Sequence, residues 1–280
     1  MPLKLYVGKV RFNYDHFSFY VQKIEPKDGF IAVKTRRRDG YTRHAIDEHS
    51  IFSVCPFHVD NSQKIGLDQK LANALFQLWN KQNKEFLLLS EAIFYFLMAN
   101  KDSFEISGYQ ECVLLVSAIE RLYNCSMGKE KDLQNALNSV FSGFKTISKK
   151  QSRFSKIKKY NDDDFLIDLW IKDFYQLRSE YAHGKLTSNR ISFWSQAEHL
   201  LLGSFIFPVL VKHKLSDIGF YTLSEEDEFK LFVFEHFLNE ELFNKPEDQM
   251  NSSDYPWNRI WSDKRFEFAI RKTIYKLGST

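Results

Sequence analysis

The sequence predicts an α+β protein in which a small antiparallel β domain precedes a mainly α-helical bundle. Residues 1–62 contain short runs rich in β-branched and aromatic residues, and turn sequences such as Pro26-Lys27-Asp28-Gly29 separate them. From residue 63 onward, apolar residues recur at intervals of three and four, the period of an amphipathic helix. The 280-residue chain is 44% hydrophobic and 16% aromatic, which is enough to bury one large core and a small appended domain.

The β domain, residues 1–62, is predicted from strand-like runs joined by turns. The strands are expected at residues 3–10, 17–24, 30–35, 41–46 and 51–59. Four side chains of zinc-binding type also occur here, His44, His49, Cys55 and His58. Their spacing is irregular, so ordinary strand and turn residues are the favoured interpretation and no metal site is expected.

The helical domain, residues 63–215, is predicted from a sustained helical period, and residues 216–280 form a helical extension. Helices are expected at 67–83, 85–100, 109–125, 133–144, 164–183 and 193–214, with a kink near Pro208. The extension contains further helices at 225–243 and 265–276, which we expect to cover a core face or a dimer partner.

Composition excludes several classes of function. The net charge is only +3, so a surface for nucleic acid must be local. Cys55, Cys112 and Cys125 form no CxxC pair, which fits a reducing, cytoplasmic location, and no apolar run is long enough to span a membrane. The chain has no glycine-rich phosphate loop, HExxH motif or serine nucleophile elbow, so ATP hydrolysis, zinc proteolysis and esterase chemistry have no support.

The helix predicted at 164–183 contains the most informative residues. Gly184 follows it as an expected left-handed residue, so the helix should end at about His183. Arg178 lies in line with the apolar stripe and therefore needs a partner. Glu120 interrupts the apolar face of the helix at 109–125 in the same way, so these two charges can pair.

Arg178 and His183 suit metal-free cleavage of RNA. Guanidinium is a planar donor for phosphate oxygens, and imidazole exchanges protons near neutral pH. A regular helix separates positions five apart by about 140° and roughly 7.5 Å of rise, so the two side chains would not point the same way. Unwinding at Gly184, or a second copy related by a two-fold axis, would bring such side chains together around one phosphodiester.

At these residues the sequence resembles the HEPN superfamily, whose mark is Arg, a polar residue, about three further residues and His near a helix end. Arg178, Ser179 and His183 match that pattern, and residues 175–184 are similar to the ApeA-like branch. Residues 114–123 are similar to the earlier core helix of the family. Lys185 stands where the branch paired with nucleotidyltransferase antitoxins carries Tyr, so nucleotidylation is not expected here.

The resemblance implies a helical, cytoplasmic homodimer that cuts RNA without cofactor or metal, in anti-phage defence or as a toxin. Arg178 and His183 would be catalytic, with Ser179, Glu180 and Glu120 as supporting groups. The reaction would yield a 2′,3′-cyclic phosphate, and an antitoxin or a phage-derived trigger would be a further partner. The alternative is a non-catalytic module that binds RNA or protein, in which Arg178 serves only as the partner of Glu120.

Residues 145–160 form the strongest charge cluster, with seven cations and no acids in sixteen residues. The functional interpretation is an arm that holds RNA phosphates, with Phe154 and Tyr160 available to stack on bases. The alternative is a solvated loop. The predicted RNA-binding residues are Lys149, Lys150, Arg153, Lys156, Lys158 and Lys159.

Overall fold

The computed structural model shows a mainly helical protein, so the predicted α+β class with a small β domain is wrong. It describes residues 23–27, 30–34, 68–100, 106–126, 129–184, 192–242 and 256–278. Within these ranges the strands are β1 (Lys23–Lys27) and β2 (Phe30–Lys34), an antiparallel pair that matches Lys27 with Phe30. Two strands alone make no face that can bury a core. The other strands predicted in residues 1–62, and the histidines and Cys55 among them, lie outside the described ranges.

The described helices follow the predicted order, with ends set by local capping. Reciprocal capping boxes begin three helices, at Ser107, Ser195 and Ser224. In each box the serine hydroxyl accepts from the N–H of the third helical residue, and the side chain of that residue accepts from the serine N–H. A short 3-10 turn covers Lys149–Gln151. The helices are α1 (Gln69–Lys81), α2 (Lys84–Ala99), α3 (Gly108–Leu122), α4 (Glu130–Phe141), α5 (Leu166–Ala182), α6 (Gln196–Asp217), α7 (Glu225–Leu238) and α8 (Pro256–Gly278).

The centre of the bundle is a close approach of α3, α5 and α6. At Gly203 of α6, an added Cβ would lie 2.5 Å from Leu115 Cδ2 of α3 and 3.3 Å from Phe174 Cε1 of α5. Only glycine fits this contact without displacing a neighbour. The close packing fixes the positions of α3 and α5, the helices that carry Glu120 and Arg178.

The core continues into the C-terminal helices. Phe234 of α7 packs on Trp170 of α5 and Phe205 of α6, with ring centroids 5.1 and 6.3 Å apart. Side chains from both sides of the predicted boundary at residue 215 therefore share one core. The helix α6 runs through Pro208 as one element. In the part of the chain that the structure describes, no helix has both the length and the apolar character needed to cross a bilayer.

Candidate active site

Arg178 lies in the last two turns of α5 and contacts Glu120 in the last turn of α3. Arg178 Nη2 donates to Glu120 Oε2 at 3.5 Å, so the structure forms the predicted pair. The side chains are only 17% and 8% exposed. The guanidinium also lies over the Tyr175 ring, 5.7 Å from its centroid. A mostly buried cation is thereby held between a carboxylate and an aromatic face.

The pair is incompletely satisfied. Burial raises the pKa of the Glu120 carboxyl above its ordinary value, and the positive charge of Arg178 offsets this only in part. Arg178 Nε and Glu120 Oε1 are buried and have no hydrogen-bond partner among the described residues. At 3.5 Å the one contact between them is at the limit of a hydrogen bond. Arg178 therefore retains donor capacity for a second anion.

His183 is the C-cap of α5, and its side chain is exposed. Its backbone N–H donates to the Ser179 carbonyl at 3.1 Å, and Gly184 follows with φ +64°. The predicted helix end and the left-handed glycine are both confirmed. Within the described ranges, no hydrogen bond or ion pair joins His183 to Arg178, because their positions lie about 140° apart around the helix.

Glu180 and Ser179, the predicted supporting residues on α5, are half-buried. Glu180 Oε1 accepts from Gln176 Nε2 at 2.6 Å, one turn earlier on the helix. The side-chain oxygen of Gln176, Oε1, in turn accepts from Lys159 Nζ at 2.9 Å and from Tyr160 Oη at 3.2 Å. Glu180 is thereby connected through Gln176 to the end of the basic segment, residues 145–160.

Three of the predicted RNA-binding cations of the basic segment are buried or half-buried and contact carboxylates of the protein. Lys149 is 2% exposed and pairs with Asp162 Oδ1 at 2.5 Å. Arg153 pairs with Glu198 at 2.7 Å, and Lys159 lies 3.7 Å from the buried Asp173 as well as bonding Gln176. The predicted RNA-binding cations whose side chains are exposed are Lys150, Lys156 and Lys158.

The two aromatic residues expected to stack on bases are packed against the protein. Phe154 is 5% exposed and lies edge-on to Trp194, with centroids 4.7 Å apart. Tyr160 is half-buried on Phe193 and has φ +64°, a left-handed conformation that is uncommon for tyrosine. The expectation for Phe154 is wrong, because burial of its ring in the core outweighs its position within a charged segment.

A buried carboxylate, Asp173, is the main polar feature near this site that sequence reasoning missed. It is fully buried in α5 and accepts from Ser192 Oγ at 2.9 Å and from the Phe193 N–H at 3.1 Å. Its Oδ2 also lies 3.1 Å from His199 Nε2 of α6. Asp173 interrupts the apolar stripe between Trp170 and Leu177, the same signal that marked Glu120. It ties the segment preceding α6 to the helix that carries the motif.

Comparison of the chain with models of known protein families, with characterised proteins and with solved structures finds no match. The chemistry of the site is therefore inferred from the geometry at the end of α5. Lys185 lies outside the described residues.

Proposed function

We propose that the protein is a metal-independent endoribonuclease of the HEPN type. The observation that carries the proposal is a mostly buried arginine, Arg178, whose Nε has no hydrogen-bond partner in the described ranges, followed five residues later by an exposed histidine, His183, at the helix end. The first group suits a phosphate and the second suits proton transfer. A histidine with a purely structural role could also lie at a helix end. The proposal therefore depends on Arg178 and His183 occurring together on α5.

A second copy of the chain completes the proposed site. Arg178 and His183 face different sides of α5, and the α5 side chains from Leu166 to Leu177 are mostly buried within one subunit. The C-terminal turn of α5 is therefore the part free to meet a partner. A two-fold axis beside this turn would place the partner's His183 opposite Arg178, with one phosphodiester between them.

The proposed reaction needs only these two side chains. The imidazole of His183 accepts the proton of the 2′-hydroxyl while the 2′-oxygen attacks phosphorus, and the bond from phosphorus to the 5′-oxygen breaks. A proton returned by imidazolium completes the 5′-hydroxyl, and the other product carries a 2′,3′-cyclic phosphate. Arg178 stabilises the charge that develops on the phosphoryl oxygens. Glu180 and Ser179 support the helix end, and Glu120 orients Arg178.

The exposed cations of the basic segment provide the path for RNA. Lys156 and Lys158 line a shallow depression with Tyr160 and Asn161. The hydrogen bonds from Lys159 and Tyr160 to Gln176 attach this depression to α5, seven residues before His183. That interval corresponds to about 10 Å along the helix. A single strand lying in the depression would therefore reach the helix end within a few nucleotides.

The test is incubation of purified protein and EDTA with total RNA, followed by mapping of the cut ends. We expect cyclic-phosphate ends with the native chain and none with His183→Ala or Arg178→Ala, both still folded. His213→Ala is the matched control, since this histidine lies on α6 and contacts Asp217 instead. Full activity in His183→Ala would exclude the mechanism.

The second candidate function is a non-catalytic binding module. It is favoured by the contact between Arg178 and Glu120, which already gives the arginine a structural role. RNA left intact by the native chain, but bound equally by the native chain and the His183→Ala variant, would support it.

A cytoplasmic toxin or defence nuclease, with an antitoxin or phage-derived trigger, should arrest growth when overproduced, and His183→Ala should remove that effect.

A further inference from the structure

Two parallel tyrosine rings bring the start of α3 to the end of α5. Tyr109, in the first turn of α3, stacks on Tyr181, in the last turn of α5, with ring centroids 5.6 Å apart and planes 12° from parallel. The Tyr181 hydroxyl lies 3.4 Å from Ser107 Oγ, the N-cap of α3. Tyr109 is 37% exposed, although most aromatic rings of the bundle are buried.

The tyrosine pair lies at the end of α5 that carries His183, the proposed proton-transfer group. Tyr181 follows Arg178 by three residues, and residues three apart on a helix are neighbours on one face, with Cβ atoms about 5–6 Å apart. Both residues contact α3, but at opposite ends of that helix. Arg178 contacts Glu120 in the last turn of α3 and lies over the Tyr175 ring. Tyr181 instead contacts Tyr109 in the first turn. Tyr109 and Glu120 are about 16 Å apart along α3, so the exposed aromatic face lies a few nucleotides from the guanidinium and close to the helix end at His183.

We propose that Tyr109 and Tyr181 form a stacking platform for an unpaired base at the end of α5 that carries His183. This inference rests on the proposed function and names the residues that would favour single-stranded RNA over a duplex. A tyrosine face stacks on any of the four bases, whereas bases inside a duplex are already stacked and present no free face. The platform therefore selects unpaired nucleotides rather than a particular sequence, and the Tyr181 hydroxyl, held by Ser107, fixes its position.

The test uses the full chain with His183→Ala, which binds without cutting, and a 12-nucleotide single-stranded RNA containing 2-aminopurine, or the same strand in a duplex. Replacing Tyr109 by Leu should weaken single-strand binding roughly 5- to 100-fold, the effect of losing one base–aromatic stack. It should also abolish the quenching of 2-aminopurine fluorescence. Duplex binding should change little, and Tyr109→Phe should behave as the parent. Trp79→Leu is the control, since Trp79 is an aromatic residue on α1 that is 56% exposed.

The outcomes separate the platform from the nuclease proposal. Unchanged single-strand affinity in Tyr109→Leu, or an equal loss for single strand and duplex, would overturn the platform even if the native chain cuts RNA. Failure of the parent variant to bind the single strand would overturn it as well. A native chain that leaves RNA intact, while Tyr109→Leu selectively loses single-strand binding, would overturn the nuclease and keep the platform.

Discussion

Glu120 Oε2 lies 3.5 Å from Arg178 Nη2, and this contact is the electrostatic link between α3 and α5 at the candidate site. Each partner keeps one buried polar atom, Glu120 Oε1 or Arg178 Nε, with no hydrogen bond among the residues described. A buried ion pair with unpaired atoms is a weak source of stability. The arrangement therefore suits an arginine that is positioned for a ligand.

The substitution Glu120→Gln tests how much the fold depends on this pair. Burial raises the pKa of the Glu120 carboxyl above its ordinary value of 4.5. Ionisation of this group is therefore less favourable in the folded protein than in the unfolded chain. We expect the variant to lose about 1 kcal/mol or less at pH 7, since the amide still accepts from Arg178. The native protein should gain stability relative to the variant as the pH falls from 7 toward 5.

Urea denaturation at several pH values measures this difference. Glu91→Gln on α2 is the control for removing one negative charge, since that side chain is 48% exposed and pairs with Arg121. A difference between native protein and Glu120→Gln that stays constant over this pH range would contradict the assigned burial of the carboxylate.

Replacing Gly203 by Ala tests the close approach of α3, α5 and α6. The new Cβ would lie 2.5 Å from Leu115 Cδ2 in a fully buried site, so neighbouring side chains must move. We expect a loss of about 1–3 kcal/mol in the free energy of unfolding. Gly143→Ala is the matched control, because no atom lies within 4 Å of its added Cβ. Equal midpoints of urea unfolding for the two variants would show that the three helices are packed less tightly at Gly203 than the structure indicates.

His236 makes the contact between α7 and α8 sensitive to pH. Burial lowers its pKa to about 4, and the positive charges of Lys264 and Arg271 act in the same direction, while Glu267 opposes them. The unfolded chain takes up a proton near the ordinary value of 6.5, so stability is present above that pH and falls as the pH drops toward 4. The loss contributed by this residue should be on the order of 3 kcal/mol.

Thermal melts between pH 7 and 4 compare the native chain with His236→Gln, which cannot titrate there. The variant should lose less stability on acidification than the native protein. The same decline in both proteins would mean that His236 is solvated and does not account for the acid sensitivity.

Charge reversal of Lys156 and Lys158 tests the path proposed for RNA. Both side chains are exposed and line the depression beside Tyr160. The double variant Lys156→Glu, Lys158→Glu should weaken single-strand binding and lower the slope of log affinity against log salt by about 1.4, or 0.7 per phosphate contact. Lys70→Glu with Lys81→Glu on α1 is the matched control, since both lysines are exposed. Equal losses in both variants would indicate a general effect of net charge.

The end of α5 could be predicted because the signals there are local. The position of Gly184 predicted the left-handed residue and the helix end at His183, and both are present. The pairing of Arg178 with Glu120 was predictable because a charge within an apolar stripe needs a partner. The β domain was predicted wrongly because strand propensity reports on a segment, while a sheet requires partners elsewhere in the chain.

The basic segment shows what local sequence cannot decide. A run of cations predicts solvent exposure, yet Lys149 is buried against Asp162 and Arg153 pairs with Glu198. Phe154 belongs to the same run and lies in the core. Asp162 lies just beyond the segment, but Glu198 and Trp194, which contact Arg153 and Phe154, lie about 40 residues further along the chain. The sequence around the segment therefore does not contain the partners of Arg153 and Phe154.

The sequence by itself determined the helices, the end of α5 and the placing of an arginine and a histidine five residues apart, because helical periodicity and capping act over only a few residues. The tertiary structure decided which groups are free to act. It turned Arg178 toward α3 and left His183 exposed, buried Asp173 beside His199, and stacked Tyr109 on Tyr181. The contacts of Arg178, Asp173 and Tyr109 each join two different helices, and only packing brings these side chains together.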